Sequence, residues 1–487
     1  EASSCFAVVQ DVAGTEITCE LESDAVLTGL LTLFHMERSS DVVINKQNQL
    51  PILPPSDLEA LASIGEEFEI DWLCLSFTRC AADVIEARQT LDRLGMKGTK
   101  ILAKIETRQS LLEFRHILRH ADGVIISRGN MGLDVLPEKM CLVQKTIISA
   151  CNIVGKPAFI TRVVDTMANT PRPTRAEATD VANAVLDGVD GILLGAETLR
   201  GLYPVQTMRT VVGIALQGEK NFDNQAHFEF LMEEALDETS EDAVYTGDMM
   251  ASHNQVQSSM PSNLGNIPGR ILITDSASTN SLTGMTDRSS HGSFGYMTTA
   301  MAKPYNNTLS KLEAICSSAV RAAAKCDAKL IIVFTNAGKT AQLVAKYRPP
   351  MPILTMVIPT LSTDRLKWRL LGRGVARQCQ AVRGVCPVLA APFSNGEDVL
   401  REALGHALSM DLVAMVDKVV CIQKLQDDLS LKILTVQDVI SENPADAHVM
   451  GMERMSADEG EVLGGPSSAR TLVQSPSIVH KNTEATK

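Results

Sequence analysis

The chain alternates between short apolar runs and helical patterns from Leu73 to Thr198. Each repeat begins with a β-rich run that ends in polar residues, continues with a helical stretch and closes at a turn with Gly or Asp. This alternation predicts βα units and a parallel sheet. Five such units form either an open doubly wound sheet or part of an eight-stranded barrel, and the pattern alone does not choose between them. The five predicted strands start at Trp72, Lys100, Gly123, Pro157 and Gly191.

Helix start and stop signals in this region agree with the predicted strands. Pro137 stands where the first turn of a helix accepts proline, and Gly155 stands where a left-handed residue ends that helix. Thr174 and Glu177 have the spacing of a capping box, and the helix that they start is predicted to end at Gly188. Independent local signals therefore support one α/β fold.

Residues 1–50 have a different, β-rich pattern. The runs FAVVQ and EITCEL predict a hairpin, and Leu31 to Phe34 predict one more strand. A β piece of this size has too few strands to be stable alone.

The composition changes twice after the βα repeats. From about Gly218 to Thr308, acidic residues and then Ser, Asn, Gly and Met dominate, which predicts a largely disordered insert. A second α/β region follows and closes with a predicted hairpin around Asp427 and Asp428. The predicted organisation is 1–50 for the β piece, 51–218 for the βα repeats, 219–308 for the insert, 309–440 for the second α/β domain and 441–487 for a disordered tail.

Charge and composition exclude several classes of function. The 58 acidic and 45 basic residues give a net charge of -13, which repels nucleic acids and anionic membranes alike. No apolar run has the length of a membrane span, and the first residues do not resemble a signal peptide, so a cytosolic protein is expected. The 11 cysteines contain no CxxC pair and are predicted to be reduced and structural, with core positions at Cys74, Cys316 and Cys421.

The segment ILAKIE carries the first candidate site. Alternation along a strand places Lys104 and Glu106 on one face, near the strand's carboxyl end, where parallel α/β folds keep their sites. One interpretation is an internal salt bridge. The other is a Mg²⁺ ligand at Glu106, with Lys104 facing a phosphoryl oxygen.

Three further strand ends carry polar residues. In SRGNMG, Gly129 and Gly132 leave backbone N–H groups open to an anion, although glycine turns after strands are common. In ITRVVD, Thr161 and Arg162 place a hydroxyl beside a guanidinium, although threonine is also an ordinary strand residue. In LLGAET, Glu197 is either part of a functional site or the cap of a helix. No single segment decides the function.

Taken together and in order, these segments resemble one family. ILAKIE, ADGVIISRGNMG, KPAFITRVVDTMANTPRPTRAEATDVANAVLDG and GILLGAETLRGLYP are similar to pyruvate kinases, especially the plant-type cytosolic branch. The resemblance implies a (β/α)8 barrel, a β cap domain and a C-terminal α/β domain. It identifies the five predicted strands as strands four to eight of an incomplete TIM-type barrel, and residues 1–50 as a remnant of the cap.

The resemblance also implies an activity and roles for residues. Pyruvate kinases transfer a phosphoryl group from phosphoenolpyruvate to ADP, giving pyruvate and ATP, with Mg²⁺ and usually K⁺. By matching motif, Lys104 and Thr161 are the expected catalytic residues, Glu106 and Asn130 the expected metal ligands. Lys104, Gly129, Asn130 and Thr161 are expected to bind the substrate. Asn130 stands where many members of the family have an aspartate, and an amide is a weaker ligand than a carboxylate.

Two alternatives to a complete enzyme follow from what does not match. The segments that the family uses in its first three strands, including most K⁺ ligands, do not occur here, so the chain is expected to be an N-terminally truncated form whose own activity is in doubt. One alternative is a non-catalytic subunit that pairs with full-length subunits, since the family commonly forms homo-oligomers. The other is a different Mg²⁺-dependent barrel lyase that handles phosphoenolpyruvate or pyruvate.

Overall fold

The computed structural model describes residues 7–14, 16–24, 51–235, 309–364, 367–391, 396–425 and 428–441. The chain divides into two compact units. The strand predicted at Leu31 to Phe34, the part of the predicted insert from 236 to 308 and the tail after 441 lie outside the described residues. The first unit contains residues 1–309 and 380–383, and the second contains the remainder.

The predicted N-terminal hairpin is confirmed. Strands β1 (Ala7–Ala13) and β2 (Glu16–Leu21) pair antiparallel, with Ala13 opposite Glu16. Gly14 in the turn has a φ of 64°, which glycine adopts without strain.

A parallel five-stranded sheet forms the centre of the first unit. Its strands follow one another in chain order, β3-β4-β5-β6-β7, and every neighbouring pair is parallel. A doubly wound sheet reverses its strand order at one point, whereas a barrel does not. The order therefore favours the barrel type of winding. The strands are β3 (Trp72–Leu75), β4 (Lys100–Ile105), β5 (Gly123–Ile126), β6 (Ala158–Thr161) and β7 (Gly191–Leu193).

Helices cover one face of this sheet because alternate strand residues are apolar and point toward them. On β4, Ile101, Ala103 and Ile105 are fully buried in the core with the helices. Lys104 thus belongs to the opposite face. The helices are α1 (Pro55–Glu67), α2 (Ala81–Arg93), α3 (Arg108–Leu112), α4 (Phe114–His120), α5 (Arg128–Asp134), α6 (Pro137–Val154), α7 (Arg175–Leu186), α8 (Ala196–Leu199), α9 (Pro204–Lys220) and α10 (Asn224–Ala235), with a 3-10 turn at Asp165–Ala168.

The predicted helix ends are confirmed. Pro137 opens α6, and Gly155 ends it in the left-handed conformation with a φ of 69°. The Thr174 side chain accepts from the backbone N–H of Glu177 at the start of α7, which completes the capping box. Gly188, just after α7, has a φ of 91°.

Two details of the sequence prediction are wrong. Cys74 is exposed, because alternation along β3 directs it to the face that the helices do not cover, while Leu75 is in the core. Helix α10 occupies residues that were assigned to the disordered insert. Its residue Leu231 is 1% exposed, and Asp223, just before the helix, accepts from the backbone N–H of Ala226 in the first turn.

The second unit has its own mixed sheet, with strand order β12-β9-β8-β13-β14. β13 and β14 are antiparallel and form the predicted closing hairpin, and Cys316 and Cys421 are buried as predicted. The strands are β8 (Leu330–Thr335), β9 (Ile353–Val357), the ribbon β10 (Thr360–Asp364) with β11 (Lys367–Leu371), β12 (Val385–Leu389), β13 (Lys418–Leu425) and β14 (Asp428–Thr435). The helices are α11 (Lys311–Lys325), α12 (Lys339–Lys346), α13 (Arg373–Cys379), α14 (Gly396–Ser409) and α15 (Val436–Ser441).

None of the helices in the described ranges combines the length and hydropathy needed to span a membrane.

Asp83 stabilises the start of α2 and offers a test of the fold. Burial raises the pKa of its carboxyl. The backbone N–H and the guanidinium of Arg79 each donate to this carboxylate at 2.8 Å. These bonds outweigh the effect of burial, so the pKa lies below its ordinary value. We expect Asp83→Asn to lower the free energy of unfolding at pH 7 by about 1.5 to 3 kcal/mol, as for a lost charge-assisted hydrogen bond.

The effect of Asp83→Asn depends on pH with a defined sign. Because the folded pKa is depressed, the carboxylate stabilises the fold above the ordinary pKa of 3.8, and this contribution is lost as the pH falls through the lower folded value. Urea unfolding followed by circular dichroism should show a smaller difference in the free energy of unfolding between Asp83→Asn and the unaltered chain in acid than at pH 7. Asp92→Asn, at an exposed position of the same helix, is the control and should change stability by less than about 0.5 kcal/mol at both pH values.

Candidate functional site

A lysine and a glutamate meet at the carboxyl end of β4. Lys104 Nζ lies 3.1 Å from Glu106 Oε1, so the predicted pairing of cation and anion is confirmed. The Glu106 side chain is 0% exposed and that of Lys104 is 22% exposed. Lys104 Nζ also donates to Ser76 Oγ, 3.2 Å away, in the segment that follows β3. The ammonium therefore stays accessible while the carboxylate is enclosed.

Glu106 is held by three donors from three segments of the chain. Besides Lys104, the Asn130 amide donates to Oε1 at 2.8 Å, and the backbone N–H of Phe77 donates to Oε2 at 2.6 Å. These bonds compensate for the burial of the carboxylate. They also fix its orientation, which prepares it to hold a further positive group without rearrangement.

The Phe77 contact depends on an unusual backbone conformation. Phe77 has a φ of 50°, in the left-handed region that residues other than glycine rarely adopt. This conformation turns its N–H toward Glu106. Sequence reasoning missed Phe77, because a backbone donor leaves no residue-type signal. Ser76 could have been found, since it also follows a predicted strand.

Gly129 and Asn130 lie in α5, directly after β5. A Cβ atom at Gly129 would lie 2.7 Å from Cδ of Arg162, so glycine allows the segments after β5 and β6 to approach closely. Arg162 itself has a φ of 57° and pairs with Asp165 at 2.8 Å. The structure therefore brings Asn130 to Glu106, and Gly129 to the segment that contains Thr161.

Thr161 ends β6, and its hydroxyl donates to the carbonyl of Ile126 on β5 at 3.3 Å. Its lone pairs are not used by this bond. Thr161 is partly buried, in agreement with a position at the rim of the sheet. Within the part of the chain that the structure describes, no hydrogen bond or ion pair joins Thr161 to Lys104 or Glu106.

Glu197 follows β7 and is 1% exposed. Its Oε2 accepts from the backbone N–H of Gly195 at 2.7 Å, as a helix cap does, while Oε1 has no hydrogen-bond partner among the described residues. The capping interpretation of Glu197 is therefore correct for one of its two oxygens.

The donors available for a metal are few. The described ranges contain no group of three or more His, Cys, Asp or Glu side chains suited to a metal ion. Glu106 and Asn130 together offer carboxylate and amide oxygens, which are hard ligands. Mg²⁺ is commonly held by one or two carboxylates plus substrate phosphate oxygens, so this donor set fits Mg²⁺ if an anionic substrate completes it.

Fold and site together define a class of protein. A parallel sheet wound in one direction, with a lysine and a fixed carboxylate at one strand end and a glycine at the next, is the arrangement of β/α-barrel enzymes that act on anionic substrates.

Comparison with known proteins gives the family. Residues 6–208 match the pyruvate kinase barrel domain and residues 313–430 match the pyruvate kinase alpha/beta domain. Pyruvate kinase 2, cytosolic, of Oryza sativa subsp. indica is 38% identical over 446 residues, which are 90% of this chain and 70% of the relative. The cytosolic isozyme of Glycine max is 32% identical over 432 residues, covering 87% and 69%. The chain belongs to the pyruvate kinase family.

A solved structure supports the same conclusion. The crystal structure of a pyruvate kinase from Cryptosporidium parvum aligns with a TM-score of 0.60 at 26% identity, covering 80% of this chain and 63% of that one. The predicted family and the predicted α/β architecture are thus confirmed. Pyruvate kinases are phosphotransferases that act on phosphoenolpyruvate and ADP in glycolysis and generally use a divalent cation and potassium.

Proposed function

We propose that this chain binds phosphoenolpyruvate and transfers its phosphoryl group to ADP, giving pyruvate and ATP. The supporting observation is the arrangement of Lys104, Glu106 and Asn130, in which a buried carboxylate is already oriented beside an accessible ammonium. Because the chain spans 70% of its rice relative and 63% of the Cryptosporidium structure, activity of this chain by itself is part of the proposal. The names of the relatives also support a cytosolic location.

The residues at the strand ends divide the chemistry among them. Glu106 and Asn130 would hold Mg²⁺, which acts as a Lewis acid on the substrate oxygens when it is bound. Lys104 places its ammonium where negative charge develops on the phosphoryl group as the bond to the enolate oxygen breaks and the bond to ADP forms. Gly129 offers its backbone N–H to the substrate. Thr161 would lie near the enolate carbon, which takes up a proton to become the methyl group of pyruvate.

Most of the potassium ligands that the resemblance implies belong to segments that do not occur in this sequence, so no residue of this chain is assigned to potassium. The family matches favour this proposal over the alternative of another barrel lyase. Self-association, or pairing with full-length subunits, remains part of the proposal.

A coupled assay tests the proposed function. The purified chain is given phosphoenolpyruvate, ADP, Mg²⁺ and K⁺, and pyruvate formation is followed through lactate dehydrogenase. Turnover that requires phosphoenolpyruvate, ADP and Mg²⁺ supports the proposal. Binding of phosphoenolpyruvate in the presence of Mn²⁺, without turnover, supports the non-catalytic subunit instead. Absence of both contradicts the assignment of the site.

Asn130 provides a prediction about metal affinity. Asn130→Asp adds a second carboxylate next to Glu106, and like charges close together are relieved by a divalent cation. We expect the variant to bind Mn²⁺ without substrate about tenfold more tightly. Titration followed by the electron paramagnetic resonance of free Mn²⁺ measures this change. Asn221→Asp, at an exposed position directly after α9, is the control and should leave Mn²⁺ binding unchanged.

A further inference from the structure

The side chain of Arg128 connects the segments that follow two neighbouring strands. It belongs to the first turn of α5, after β5, and its Nε donates to the carbonyl of Thr161 at 3.2 Å. A second guanidinium nitrogen donates to the carbonyl of Arg162. The main chain at the end of β6 is thus bound at two successive residues.

Two further elements hold the guanidinium in place. Arg128 pairs with Asp180 on α7 at 2.6 Å, and a nitrogen of the same group lies 3.4 Å from Oε1 of Gln144 on α6. Only 16% of the Arg128 side chain is exposed. The planar fork of arginine can serve two carbonyls and a carboxylate at once, whereas a lysine ammonium is a single point charge.

The segment held by Arg128 contains the residue assigned to proton transfer. Thr161 is fixed from two directions, because its hydroxyl donates to the Ile126 carbonyl and its own carbonyl accepts from Arg128. The next residue, Arg162, is in the left-handed region with a φ of 57°. Such a conformation costs free energy and persists only where the surroundings hold it. Residues 126 and 128 therefore set the position of Thr161.

We propose that Arg128 is a positioning residue for the protonation of the enolate, acting through Thr161 and not through contact with the substrate. This inference rests on the proposed function. Lys104 and Glu106 are held by contacts that do not involve Arg128, so loss of Arg128 leaves the binding of phosphoenolpyruvate and metal largely intact. Proton transfer requires Thr161 to be placed to within about 1 Å, so we expect this step to be slowed when Arg128 is lost.

The test separates binding from proton transfer. Exchange of the pyruvate methyl protons with deuterium oxide, in the presence of Mg²⁺, K⁺ and phosphate, is followed by proton NMR. Binding of phosphoenolpyruvate with Mn²⁺ is measured by calorimetry. For Arg128→Lys we expect methyl exchange to be slowed about 10²-fold, as for a misplaced catalytic group, with a Kd change below about threefold.

Arg88→Lys is the matched control. Arg88 also donates to a backbone carbonyl, that of Thr99 at 2.5 Å, and pairs with an aspartate, Asp122, but at the amino end of the same sheet. Because Arg88 does not contact the segment of Thr161, Arg88→Lys should change the rate of methyl exchange by less than about threefold, even where it destabilises the fold as much as Arg128→Lys does. Asp180→Asn retains the bonds from Arg128 to both carbonyls and should slow exchange only a few-fold.

Amide hydrogen exchange supplies a readout that needs no activity. We expect the amides of the peptide that covers 159–163 to exchange at least about tenfold faster in Arg128→Lys, because this segment opens locally more often. Their exchange rate should not change in Arg88→Lys. Equal methyl exchange in the two variants, or a parallel loss of binding and exchange in Arg128→Lys, would overturn the proposal. If the unaltered chain does not exchange pyruvate protons, the proposed function fails at that step. In that case unchanged protection of 159–163 in Arg128→Lys overturns the role of Arg128 separately.

Discussion

Replacing Lys104 by methionine is expected to lower the rate of pyruvate formation by about 10²- to 10³-fold, the usual loss for one preorganised donor that stabilises transition-state charge. Methionine keeps most of the length of the side chain and removes the charge. Because the ammonium helps mainly after charge has developed, the KM for phosphoenolpyruvate should change much less than kcat. Initial rates in the coupled assay measure both constants.

Lys100→Met is the matched control for this experiment. Lys100 lies at the amino end of β4 and on the same face as Lys104, with its ammonium 5.3 Å from the centre of the Trp72 ring. It is far along the strand from the site, so its loss should leave kcat within about twofold. A Lys104→Met variant with the kcat of the control would refute the catalytic role. The salt-bridge interpretation of the Lys104 and Glu106 pair would then be preferred.

Glu106→Gln is expected to weaken Mn²⁺ binding by about 10²-fold or more, since the buried carboxylate beside Lys104 becomes a neutral amide. It should also destabilise the fold. The carboxylate accepts hydrogen bonds on both oxygens, from Phe77 on one and from Asn130 on the other. Glutamine has one oxygen and one NH₂ group, so one of these donors faces another donor and loses its bond, at a cost of about 1 to 3 kcal/mol.

Two measurements check the Glu106 variant. Mn²⁺ titration reports on the metal, and urea unfolding without metal reports on the unpaired donor. Glu59→Gln, on the exposed surface of α1, removes the same charge elsewhere and should leave both quantities unchanged. Undiminished Mn²⁺ affinity in Glu106→Gln would show that the metal binds at a different place. Full stability would show that the three donors contribute nothing to folding.

Much of the fold follows from local signals in the sequence. Alternation and caps located the five strands of the first unit and helices such as α6 and α7. The direction of winding did not follow, because strand order depends on contacts between distant segments. Cys74 was misplaced because an apolar run does not show which face of a strand is covered. Helix α10 was missed because its residues continue into a polar, acidic stretch whose composition dominated the prediction.

The candidate site was predictable where one strand carried it. The spacing of Lys104 and Glu106 placed them together by alternation alone, and the 3.1 Å contact agrees. Contacts between segments were not predictable from spacing. The bond from Asn130 to Glu106 joins residues 24 positions apart, and those from Arg128 to the carbonyls of Thr161 and Arg162 join residues 33 and 34 positions apart.

The bond from the Phe77 N–H to Glu106 has a consequence for mutational tolerance. The contact depends on the path of the main chain, and Phe77 as a residue is 37% exposed. Many replacements of the ring can therefore keep the bond, and residues that accept a positive φ, glycine and asparagine first, keep it with the least strain. Position 77 can diverge among otherwise similar enzymes while the carboxylate beside it stays fixed.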